Sequence, residues 1–310
     1  MGLFFMLSAI VALVKTKALE IQLENLQQPD WHALYVGARP RYATATSVRL
    51  LDAHTLICCS LLARKIYLIR FDLASKSFSV LDSADTVYDG STTQTDLCDI
   101  DGLGRVVTSN CEDGNMSLYR IEGDKIRHER DLATGLTGNF CHGARFCGPD
   151  KVVATALREP CRGAHFYEVS TLRKLLYVRT PRLAKDLCFL PDGRAVLATT
   201  DSAPSSAASS GGAASELLVA RVDLKRGTYD VTGRQTYDVG QIDSVVYYGA
   251  HLYVSDSHGG RVLVVDPSTL RVVEEVGGYD FPHGVDVNYG VLAVACYGTN
   301  TIHLMGWYRD

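Results

Sequence analysis

The sequence lacks a Cys-x-x-Cys pair, which excludes a zinc ribbon and a thioredoxin-type redox motif. It has no Gly-x-Ser-x-Gly elbow, phosphate-binding loop, His-Glu-x-x-His pair or dinucleotide fingerprint, so the signatures of common hydrolases, nucleotide enzymes and zinc proteases are missing. Basic residues form no tail or stripe, and the net charge is -4, so no nucleic acid is expected as a partner. No helical period continues beyond residue 25. No apolar run is long enough to span a bilayer, so no integral membrane span is expected.

The one long apolar run, Leu3–Val14, has the length of a signal-peptide core, and "TKA" ending at Ala18 offers a cleavage site. No Lys or Arg precedes the run, however, and Lys15 and Lys17 follow it. Residues 1–18 therefore read either as a hydrophobic N-terminal segment or as a signal peptide, and 19–310 as one domain. Most of the nine cysteines lie in strand-like runs, where a thiol behaves as a small apolar side chain. That usage favours the cytoplasm, with secretion the alternative if the leader is cleaved. A monomer is expected.

What is present is a repeat. Short apolar, β-branched runs alternate with Gly, Asp, Pro and Ser turns. "TDLCDIDGLGRVVTSN", "CHGARFCGPDKVVATA", "AKDLCFLPDGRAVLATT" and "FPHGVDVNYGVLAVACYGTNTIHLM" share one pattern, with further copies beginning at "ATSVRLLDAHTLICCS" and "IDSVVYYGAHLYVSDSHGGRVLVVD". Six copies at this spacing predict an all-β, six-bladed β-propeller. The last copy stops after three strands, and "KALEIQLENL" reads as the strand that completes it and covers its edge.

"HLYVSDSHGGRVLVVD" resembles the NHL-type repeat, and the whole chain is similar to a superfamily of six-bladed propellers. That superfamily includes gluconolactonase-type hydrolases, strictosidine-synthase-like proteins and the peptidylglycine amidating lyase. The resemblance implies a site in the central channel. Its motifs do not all carry over. A gluconolactonase-type metal-dependent hydrolase would hold calcium with Glu, Asn and Asp, strictosidine synthase needs a Glu, and the lyase needs three zinc-bound His.

Aligning the copies places one residue per blade at the channel mouth: Thr46, Asp96, His142, Lys185, Asp243 and His283. Two His-Gly pairs thereby face each other from blades three and six, and this ring supplies neither Glu nor Asn. Asp beside Lys or His gives an acid–base set near neutral pH that requires no cofactor. His142 and His283, with an Asp, could instead hold a divalent metal, although two His across a channel are expected to stand far apart for 2.0–2.1 Å bonds. Tyr42, Tyr88, Phe140, Tyr237 and Phe281 are expected as an aromatic rim, with Arg158, His258 and Tyr297 on neighbouring loops. A Ser/Ala/Gly insertion at 201–216 in blade four reads as a tolerated loop or as a lid.

Two functions fit these residues. One is an enzyme acting on a small, secondary-metabolite-like molecule in the channel, with His142, His283, Asp96, Asp243 and Lys185 moving protons. Lyase, isomerase or cyclase chemistry fits better than hydrolysis, because no activated Ser or Cys stands out. The other is a non-catalytic propeller that binds a protein or peptide on its loop face. A third reading, purely structural, makes the ring a hydrated set of salt bridges between blades.

Overall fold

A computed structural model describes residues 19–22, 45–201 and 214–307. The Leu3–Val14 run, Tyr42 and most of the blade-four insertion lie outside the described residues. Six four-stranded antiparallel sheets follow one another along the chain, and among the described residues a two-stranded hairpin lies between the first and second. The innermost strands are Ala45–Leu50, Thr95–Ile100, Cys141–Phe146, Leu183–Phe189, Ile242–Tyr248 and Pro282–Asn288. Each packs beside the next, and the last returns to the first, closing a six-bladed propeller. Among the described residues no helix is long and apolar enough to cross a membrane.

The turns show why these runs pair as they do. Gly249 and Ala250, and likewise Tyr289 and Gly290, all have positive φ. Each pair forms a two-residue hairpin loop whose twist matches the flanking strands. The side chains behind these turns fill the seams between blades, so each blade is stabilised by its neighbours.

Closure uses the strand at Leu19–Gln22, which pairs antiparallel with Thr301–Leu304 and completes blade six. Its alternation of buried and exposed residues directs Leu19 and Ile21 into the seam with blade one, beside Tyr67, Ile69 and Phe71. All nine cysteines are free thiols.

Candidate functional site

Every innermost strand breaks register with its partner at the ring residue. The breaks fall between Ala45 and Ser47, Thr95 and Cys98, Cys141 and Ala144, Ala184 and Asp186, Ile242 and Val245, and Pro282 and Gly284. A bulge inserts an unpaired residue and re-aims its side chain. Six bulges thus deliver Thr46, Asp96, His142, Lys185, Asp243 and His283 to one level of the channel, each no more than 5% exposed.

The two histidines are in contact rather than far apart. Their rings stack with centroids 5.2 Å apart, which corrects the expectation that the channel separates them. His142 Nδ1 lies 2.8 Å from the Lys185 carbonyl, and His283 Nδ1 lies 2.9 Å from that of Thr46. A carbonyl only accepts, so both Nδ1 atoms carry the proton and both Nε2 atoms face the channel centre. There His142 Nε2 stands 3.3 Å from Asp96 and 3.4 Å from Asp243, and His283 Nε2 stands 3.3 Å and 3.7 Å from the same carboxylates. A bare imidazole lone pair would repel carboxylate oxygens at that range. The geometry calls for a proton or a cation between them.

The glycine after each histidine makes this arrangement possible. A Cβ on Gly143 would lie 2.8 Å from the Lys185 carbonyl oxygen, and one on Gly284 would lie 2.6 Å from that of Thr46. These are the same carbonyls that accept from the imidazoles. Gly lets the next blade's backbone approach, and that approach fixes the tautomer. Two residues upstream, Phe140 and Phe281 both adopt left-handed backbone, with φ of 56° and 53°. Such a conformation is costly for a bulky residue, and it recurs here beside both histidines.

Asp243 is the best-supported carboxylate. Burial pushes its pKa up, but Lys185 at 3.0 Å, together with His283 and His142, outweighs burial and holds it well below the usual range. The Gln241 amide donates to both its oxygens, at 2.8 and 2.7 Å, and the Ser257 hydroxyl stands 2.5 Å away. Asp96 differs, because neither of its oxygens has an aligned hydrogen-bond partner, and neither has His142 Nε2 or His283 Nε2. Asp96, His142 and His283 each offer one ligand atom, all within 4.8 Å of one another, so this set fits a divalent metal.

Sequence reasoning missed Gln241 and Ser257. Their signal was weak: a polar residue two positions before Asp243, and one after the next strand. Thr46 turns its hydroxyl to the carbonyls of Cys59 and Thr95, so it serves the ring through its backbone.

The expected rim is sorted differently by the structure. Phe140, Phe281 and Tyr297 do gather over the ring, and Tyr297 stands 5.9 Å from His283. Leu61, Leu62, Cys111 and Leu157 join them in an apolar plug drawn from blades one, two, three and six. Arg158 caps Phe140 at 5.6 Å, and His258 lies 5.5 Å from Phe281. Tyr237 is not at the mouth. It lies in the seam between blades four and five, with its hydroxyl on the Leu270 carbonyl. Tyr88 is half-buried in the small hairpin between blades one and two.

Fold and site together define a six-bladed propeller with a buried, charged centre of two imidazoles, two carboxylates and an ammonium. A candidate gluconolactonase of known structure is 13% identical, with a TM-score of 0.62, and the match covers 94% of both chains. Hydrazine synthase of Kuenenia stuttgartiensis is 11% identical, with a TM-score of 0.58, over 86% of this chain and 96% of that one. At such identities the likeness establishes the propeller fold and nothing of the chemistry. No family model and no curated protein matches the sequence.

Proposed function

We propose that the chain is an enzyme that carries out acid–base chemistry on a small organic molecule at the channel centre. The observation that carries this reading is the pinning of both Nδ1 atoms, which turns both Nε2 atoms toward both carboxylates. One ammonium against two carboxylates leaves one negative charge, which a proton on either imidazole neutralises. That proton is positioned to be given and retaken, with Asp243 held ionised beside it by its 3.0 Å contact with Lys185. Lyase, isomerase or cyclase chemistry fits better than nucleophilic hydrolysis. The buried thiols beside Asp96, Cys111 and Cys141, are both pushed up by burial and by that carboxylate, far from ready thiolates.

A second reading follows from the unpartnered atoms of Asp96, His142 and His283. These three would hold a divalent metal, which would supply Lewis-acid activation of a bound oxygen. Asp243 and Lys185 would then remain as the proton-carrying pair.

Turnover of a metabolite mixture, followed by mass spectrometry, tests the enzyme reading. Wild-type protein should deplete a compound that His142→Ala and His283→Ala leave untouched. Equal depletion by all three would sink it. Elemental analysis of the purified protein separates the readings: about one equivalent of metal in wild type, lost in both variants, selects the metal site.

A further inference from the structure

Three residues further along the same inner strands, a second charged layer occupies the opposite end of the channel. Arg49, Asp99, Arg145 and Asp286 form it, with Asp186 behind them. At 3.3 Å of rise per residue this layer lies about 10 Å from the histidines. A cavity of about 660 Å³ opens over it, walled in part by Phe189, Tyr247 and Tyr289.

Most of the valences in this layer are spent on holding blades together. Asp99 accepts from the Phe146 amide, Asp286 from Leu50 and Asp186 from Val245, each in the neighbouring blade. Arg145 donates to the carbonyls of Leu187 and Cys98 and to Asp186. Arg49 donates from Nη1 to Val48 and Val285, and from Nε to Asp99 at 3.3 Å. At the edge, Asp101 and Arg105 neutralise each other at 2.7 Å.

Besides Asp186 Oδ1, which is buried without a partner behind the layer, two valences stay open at the cavity. Three carboxylates face two guanidinium groups, leaving one negative charge in excess. The reachable acids are Asp99, whose side chain is 20% exposed, and the half-buried Asp286. The second open valence is a donor: Arg49 borders the cavity, is only 3% exposed, and its Nη2 has no partner. A plain amine would answer the charge and leave the donor orphaned. A plain carboxylate would do the reverse and meet repulsion.

We propose that this cavity binds a small zwitterion of the α-amino-acid type carrying an apolar side chain. Its ammonium sits on Asp99 and Asp286, its carboxylate takes the free N–H of Arg49, and its side chain lies against Tyr247, Tyr289 and Phe189. The site is separate from the histidine ring and does not depend on the chemistry proposed there.

Calorimetric titration with L-phenylalanine at neutral pH tests it, with phenethylamine and 3-phenylpropionate as half-ligands. L-Phenylalanine should bind at one site, more tightly than either half-ligand. Asp99→Asn, which keeps an acceptor for the Phe146 amide, should weaken it by about tenfold or more, as expected for losing a charged hydrogen bond. His283→Ala should leave it unchanged. Absence of L-phenylalanine binding to wild type overturns the proposal, as does equal affinity in folded Asp99→Asn or tighter binding of 3-phenylpropionate.

Discussion

The residue after each channel histidine is under a tighter constraint than the histidine itself. Ser47, Asp186 and Ser244 occupy the same place in other blades, so the propeller as such does not demand glycine there. It is demanded where a neighbouring carbonyl must come within hydrogen-bond reach of an imidazole. Gly284→Ala would place a Cβ 2.6 Å from the Thr46 oxygen, with backbone rather than a flexible side chain as the obstacle. Pushing the two strands apart is expected to cost about 2–3 kcal/mol and to break the His283 Nδ1 bond. Urea denaturation measures the first effect. The second is read by NMR, as loss of the slowly exchanging imidazole proton; wild-type stability with that proton intact would show the approach to be less tight than described.

At the scale of strands, the repeat of short apolar runs and turns exposed the blades, and the short last copy exposed the closing strand, because both depend on how many strands each sheet must bury. Ile21 is fully buried in the closure seam. Ile21→Ala should therefore cost about 2–4 kcal/mol, as for other large-to-small core changes. The midpoint of thermal unfolding should fall accordingly, and an unchanged midpoint would mean that the strand does not hold the ring shut. The bulges were harder to read. A bulge shifts alternation by one residue, and a single shift in a six-residue strand looks like ordinary variation. That is why the ring positions could be aligned while the contact between His142 and His283 could not be foreseen. Tyr237 was misplaced for a related reason: a periodic pattern says that an aromatic faces inward, not whether it fills a seam or a mouth. Gln241 and Ser257 contribute only through space, by converging on Asp243 from one strand's start and another's end.

For the whole molecule, the channel holds two charged layers with opposite dependence on pH. In the lower layer, burial raises Asp99 and Asp186 to about 6, with Arg49 only partly offsetting it, and Asp286 is raised as well. A carboxylate whose folded pKa exceeds its unfolded value of about 3.9 binds protons more readily when folded, so its stabilising effect is complete below that value and is lost as pH rises toward 6. For Asp99 the shift is worth roughly 3 kcal/mol at most. In the upper layer Asp243 is held well below its ordinary value by Lys185 and the histidines despite its burial. Its contribution is therefore complete above about pH 4 and is lost only as pH falls further. Stability drawn from the channel should thus peak near pH 4 and decline toward 6. Asp99→Asn keeps the hydrogen bond from Phe146 but removes the charge, so it should flatten the decline between about pH 4 and 6. Lys185→Met should act on the other layer: Asp243 loses its ammonium partner, and the protein should be destabilised by about 3–5 kcal/mol at neutral pH and by less in acid. Denaturation midpoints across pH 3.5–7 compare the three proteins. Parallel curves for wild type and Asp99→Asn would mean that Asp99 ionises in the fold as freely as it does in the unfolded chain, and the lower layer would then carry no titrating strain.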